Sequence, residues 1–137
     1  MEKKGLFITV GIVLVIFLLI VSFLGIGKDE KQDVPLDAAR ISEGQVTIKI
    51  TPIEFKDGIF SFNIQIDTHT GSLEDYNLAE LTELIYSDKS IKPVSAPTLS
   101  GHHSSGILQF QVEEKPEQFR IVVNGIPDIE RREFVWE

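Results

Sequence analysis

The chain has 137 residues, a formal net charge of −8 and no cysteine, and Met1 is its only methionine. That length suits one domain of roughly 100 residues with a short segment outside it. Without thiols there can be no disulfide, thiolate-held metal, cysteine nucleophile or lipid-bearing N-terminal cysteine. The acidic balance argues against phosphate backbones and anionic lipid headgroups as partners.

Residues 6–26 read LFITVGIVLVIFLLIVSFLGI, an apolar run without a charge. As a helix rising 1.5 Å per residue it spans about 30 Å, the thickness of a bilayer's hydrocarbon core. Lys3 and Lys4 precede it, and the positive-inside bias keeps that end cytoplasmic. Residues 1–27 are therefore expected to be an N-terminal transmembrane anchor, placing the rest outside the cytoplasm at the cell membrane. Two rivals exist. Gly25 and Gly27 are small residues suited to a signal-peptide cut, although such apolar stretches are usually shorter. Lys3-Lys4-Gly5 before an apolar helix resembles a pilin leader, but Val10 stands where the fifth mature residue would be glutamate.

Residues 28–40 (KDEKQDVPLDAAR) are charged and lack periodicity, so they read as a juxtamembrane linker. From residue 41 to 137 the pattern is that of an extracytoplasmic β domain. In residues 45–53, Val46, Ile48 and Ile50 alternate with Thr47, Lys49 and Thr51, the period of a half-buried strand. Pro52 predicts an edge or bend there. Asp57-Gly58 predicts a hairpin tip, after which Phe60, Phe62, Ile64 and Ile66 face one way and Ser61, Asn63 and Gln65 the other.

The pattern breaks over residues 68–80, where Leu73, Tyr76, Leu78 and Leu81 suit a short helical turn. Residues 81–87 return to strand, and 88–101 form a long connection. Leu108, Phe110 and Val112 alternate in the next strand. The run 119–124 and the stretch 132–137, with Phe134 and Trp136, close the chain. Six or seven short strands predict a mainly β fold: a small β-sandwich, immunoglobulin-like in architecture, preceded by the transmembrane helix. Phe60, Phe62, Phe110, Phe119, Phe134 and Trp136 are its expected core.

The three histidines fall in Asp67-Thr68-His69 and in Gly101-His102-His103-Ser104-Ser105-Gly106. Neutral imidazole is a good ligand for zinc and copper, and a carboxylate can complete or orient the set. Along a strand Asp67 and His69 project from one face. His102 and His103 point oppositely in an extended chain, so that one joins His69, unless Gly101 and Gly106 fold the loop and bring both. The candidate metal ligands are thus His69, His102 and His103, with Asp67 as ligand or orienting partner. The blander alternative is a set of solvated loop histidines beside an Asx or Ser/Thr turn. Clustered imidazoles also suit pH sensing. Ser104 and Ser105 beside histidines suggest a hydrolase, but no G-x-S-x-G elbow accompanies them. The chain is read as a non-enzyme.

Asp67-Thr68-His69, Leu73, Leu78-Ala79-Glu80-Leu81, Gly101-His102-His103-x-x-Gly106-x-Leu108-x-Phe110 and Arg132-x-Phe134-x-Trp136 together resemble a family of uncharacterised membrane-anchored extracytoplasmic proteins. The resemblance covers residues 45–137 and implies one recurrent module, without implying an activity. Where an aromatic residue and a glycine are expected between Pro93 and Gly101, this chain has VSAPTLS. Two functions follow as expectations. One is a tethered structural or protein-interaction module contacting another envelope protein. The other is a small copper- or zinc-binding module.

Overall fold

The computed structural model of the protein describes residues 37–137. The expected transmembrane segment and most of the linker lie outside the described residues. These form eight strands and one short helix: β1 (Arg40–Ser42), β2 (Val46–Lys56), β3 (Ile59–Thr68), α1 (Leu78–Leu81), β4 (Thr82–Tyr86), β5 (Lys89–Ile91), β6 (His103–Gln111), β7 (Phe119–Asn124) and β8 (Arg131–Trp136). Two four-stranded sheets result, in the orders β1-β2-β3-β6 and β5-β4-β7-β8. All neighbours are antiparallel.

The sheets pack because alternation leaves one apolar face on each. Ile48, Ile50, Phe60, Phe62, Ile64, Ile66, Leu108 and Phe110 from the first sheet are buried in one cluster with Leu84, Phe119, Ile121, Phe134 and Trp136 from the second. Rings interlock across the interface. Phe60 lies edge-on to Phe119 at 5.0 Å, and Phe62 lies 6.1 Å from Trp136, which in turn stacks on its sheet neighbour Phe119. All six aromatic residues expected in the core are there. The connectivity differs from the immunoglobulin order, in which the third strand crosses to the opposite sheet. Here Asp57 and Gly58, with φ of 52° and 79°, make a two-residue turn. That turn keeps β3 beside β2, because positive φ at both positions matches the twist of paired strands.

Other differences have equally local causes. Pro52 does not end β2. The strand continues past a register shift between Pro52 and Glu54. Pro52 lies two residues beyond the last β2 residue paired with β1, on a stretch where a missing N–H costs no ladder bond. β5 falls inside the expected connection because Ser87 and Asp88 turn with φ of 45° and 61°. Aspartate tolerates that conformation without the glycine that advertises such a turn. β1 begins at Arg40, one residue ahead of the expected domain edge. It is tied to the last strand: Arg40 Nε donates to Val135 O (2.6 Å), the Arg40 guanidinium lies 5.2 Å from the Trp136 ring centre, and Trp136 Nε1 donates to Ala38 O (2.8 Å).

A second tie is buried. Arg132 points inward from β8 at 2 % exposure. Its guanidinium donates to Ser42 Oγ (2.8 Å), to Pro127 O (3.2 Å) and to Asp128 Oδ1. Asp128 also accepts from the backbone N–H of Gln45. The β1–β2 loop and the β7–β8 loop are thereby joined through one ion pair.

Candidate functional site

The histidine segments meet at the end of the first sheet. Register pairs Asp67 on β3 with His103 on β6. The inward residues beside them, Ile66 and Thr68, are buried, so the alternation sends Asp67 and His103 outward. His103 Nδ1 and Asp67 Oδ1 are 2.7 Å apart, with the two side chains 69 % and 49 % exposed. A carboxylate only accepts, so Nδ1 carries the proton of that contact.

β3 ends at Thr68, whose hydroxyl donates to Thr70 O (2.8 Å) and accepts from Thr70 N (3.2 Å). That Ser/Thr-type turn carries the exposed His69 alongside. The His69 and His103 ring centres are 6.4 Å apart, and the planes meet at 77°. His102 contributes its carbonyl, which accepts from Thr68 N at 2.8 Å. The structure thus brings Asp67, His69 and His103 together on one exposed surface and leaves His102 at the bend before β6. Among the described residues no group of three or more histidine, aspartate or glutamate side chains is placed to hold a metal ion.

The two loop glycines act differently. Gly101 bends the chain with φ of 60°. Gly106 lies within β6, where a Cβ would meet Pro97 Cβ at 2.4 Å; the glycine lets the preceding connection pack against the strand. That connection also covers the free edge of β6: Val94 N donates to Gln109 O (2.8 Å) and Gln109 N to Ser95 O (2.9 Å). Ser104 uses its hydroxyl on the backbone of Ser100, accepting from N (2.8 Å) and donating to O (2.9 Å). This is a loop clasp rather than a contact to an imidazole. A surface concavity of about 390 Å³, lined by Tyr86, Lys89, Ile91, Gln111, Val112 and Glu113, does not include the histidines.

Beyond the histidines lies a feature that sequence reading missed. The outward face of the first sheet carries the cross-strand row Ile41, Lys49, Gln65, Ser105 and the row Thr51, Asn63, Ile107. Ile41 is 56 % exposed and Ile107 45 %. The polar phase of the alternation was visible in the sequence, but whether those side chains find partners was not. Among the described residues, Lys49, Thr51, Asn63, Gln65 and Ser105 have no side-chain partner.

On the outward face of the second sheet the charged side chains are paired, and Val135 is 38 % exposed beside them. Glu83 accepts from Ser90 Oγ (2.7 Å) and pairs with Lys92 Nζ (3.0 Å). Glu133 pairs with Arg131 (2.7 Å) and with Arg120 (4.0 Å). The hydrogen bonds from Ser90 and Lys92, aided by the Lys92 and Arg131 charges, hold the Glu83 carboxyl below its ordinary value. Between Glu83 and Glu133 in register sits Val122, which is 0 % exposed although it faces outward.

Comparison with family models, with curated proteins and with solved structures gives no match to this chain.

Proposed function

We propose that the chain is a single-pass membrane protein, N-terminus cytoplasmic, whose β-sandwich serves outside the cytoplasm as a protein-interaction module. The anchor is supported by the uncharged apolar run of residues 6–26 behind Lys3 and Lys4. The resemblance of residues 45–137 to membrane-anchored extracytoplasmic proteins supports the same placement. In architecture the module is immunoglobulin-like, two sheets on one core, with its own strand order.

The observation that carries the interaction reading is the open face of the first sheet. Two exposed isoleucines stand there among neutral polar side chains and one lysine. Lys49, Thr51, Asn63, Gln65 and Ser105 have no side-chain partner among the described residues, so each can exchange a hydrogen bond with a partner at little desolvation cost. The matching occupant is another envelope protein that presents aliphatic and uncharged polar side chains. The acidic chain disfavours nucleic acid.

Site-specific photocrosslinking in native membranes tests this. A photoreactive residue at Gln65 or Ser105 is expected to yield a discrete adduct, and the same residue at Arg120 none. Equal adducts from both faces, or none from either, would overturn the reading. Because the chain has no cysteine, a Gln65→Cys variant carries one thiol. Labelling of that thiol by an impermeant maleimide in intact cells tests the orientation, and protection until lysis would reverse it.

A further inference from the structure

We infer that His69 and His103 form a two-imidazole site for a divalent transition metal, taking copper(II) more tightly than zinc. Asp67 acts behind it as the orienting carboxylate. The inference goes beyond the interaction reading and does not depend on it.

Three observations converge. First, the ligand ring is held. Asp67 Oδ1 lies 2.7 Å from His103 Nδ1, which fixes the ring's orientation and leaves Nε2 as the nitrogen for an ion. Carboxylate–histidine–metal triads use that arrangement. Second, a second ring stands beside the first, with centres 6.4 Å apart. Metal–nitrogen bonds of about 2.0–2.1 Å bring two shared imidazoles to roughly 5–6 Å between centres. The shortfall is a side-chain rotation, and His69 is exposed with no hydrogen bond to its ring among the described residues. Third, the backbone beneath is fixed. Thr68, between Asp67 and His69, is 1 % exposed and bonded on both sides, and His102 O closes the ladder onto Thr68 N. His103 therefore projects from a paired strand, and His69 follows directly on the anchored end of β3, in the turn that the Thr68 hydroxyl holds.

With no group of three such side chains placed to hold an ion, the remaining coordination positions go to water or to a donor from outside the chain. Imidazole-rich open sites favour copper(II) over zinc in the general order of divalent affinities. The exposed setting gives micromolar binding rather than the tight binding of a closed four-ligand centre. Only neutral imidazole binds a metal, so protons compete with the ion for the same nitrogens.

The test is calorimetric titration of the full chain in detergent micelles with copper(II) and with zinc chloride, paired with electron paramagnetic resonance of the copper form. One ion per chain is expected, with a two-nitrogen hyperfine pattern. His69→Ala and His103→Ala should each weaken binding about ten-fold or more, and the double variant should abolish it. Asp67→Asn should weaken it about ten-fold, while His102→Ala leaves it unchanged. Folding is checked by circular dichroism of each variant and should not change, since these side chains are exposed. Absence of saturable binding, binding that survives the double variant, or equal loss in His102→Ala would overturn the site. Unchanged affinity in Asp67→Asn would overturn the orienting role. The readout needs no protein partner, so a failed crosslinking experiment and a failed titration are separable results.

Discussion

The outward faces of the two sheets have the same alternating origin and opposite fates. On the second sheet, Glu83, Ser90, Lys92, Arg120, Arg131 and Glu133 pair among themselves, and Val122, in register between Glu83 and Glu133, is fully buried. On the first, Lys49, Thr51, Asn63, Gln65 and Ser105 are left without side-chain partners among the described residues, and Ile41 and Ile107 stand open between them. Polarity alone does not distinguish a finished surface from a receptive one. What distinguishes them is whether each polar group already has its complement within the chain. A charged pair discourages a partner, which would have to break it. A lone glutamine or threonine invites one.

The contrast can be probed by substitution, and the largest effect lies where the sheets are joined. Arg132→Ala leaves Asp128, a side chain only 14 % exposed, with an uncompensated charge. Breaking a buried pair from one side costs about 3–5 kcal/mol, and chemical denaturation should show a loss of that order. Next is Val122→Ala. This side chain faces outward yet is fully buried, and that burial predicts a loss of about 1–3 kcal/mol. A loss no larger than at an exposed position would show that the ion pairs do not shield it.

Glu83→Gln should have a smaller effect, dependent on pH. The folded-state pKa is lowered by the Ser90 and Lys92 hydrogen bonds. The stability this contributes is therefore present above the ordinary carboxyl pKa of 4.5 and is lost as pH falls through the lower folded value. Wild type and variant should thus differ at neutral pH and converge in acid, as measured by melting temperature across pH 2–7, a window set by carboxylate titration at about 4. The smallest effect belongs to the open face: Gln65→Ala and Ile107→Ser should change stability by less than about 0.5 kcal/mol. The same changes should reduce crosslinking to a partner, separating a recognition face from a structural one.

Much of the fold was legible. Period-two alternation identified the buried phase of β2, β3 and β6, and Asp57-Gly58 announced its hairpin. What escaped had weak local signals. β5 follows a turn built from Ser87-Asp88 without glycine. β1 is three residues long, docked through Arg40 and Trp136 contacts. The inward arginine of β8 occupies a position that its local sequence marks only as the apolar phase. Of the candidate site, the outward projection of Asp67 followed from strand periodicity, whereas β3 ends at Thr68 and the Thr68 turn places His69. The choice of His103 over His102 was open, because it depended on whether β6 began before or after that pair.

By itself, then, the sequence determined which side chains of each strand enter the core, since alternation is a property of neighbouring residues and survives any tertiary arrangement. Only the tertiary structure decided which strands would be neighbours and in what register. Burial of Phe60, Phe62, Leu108 and Phe110 in a shared interior holds β3 against β6 so that Asp67 meets His103. A slip of β6 by one residue would turn Leu108 and Phe110 to water. The imidazole–carboxylate pair on the surface is therefore placed by the energetics of the opposite, hidden face of the same two strands.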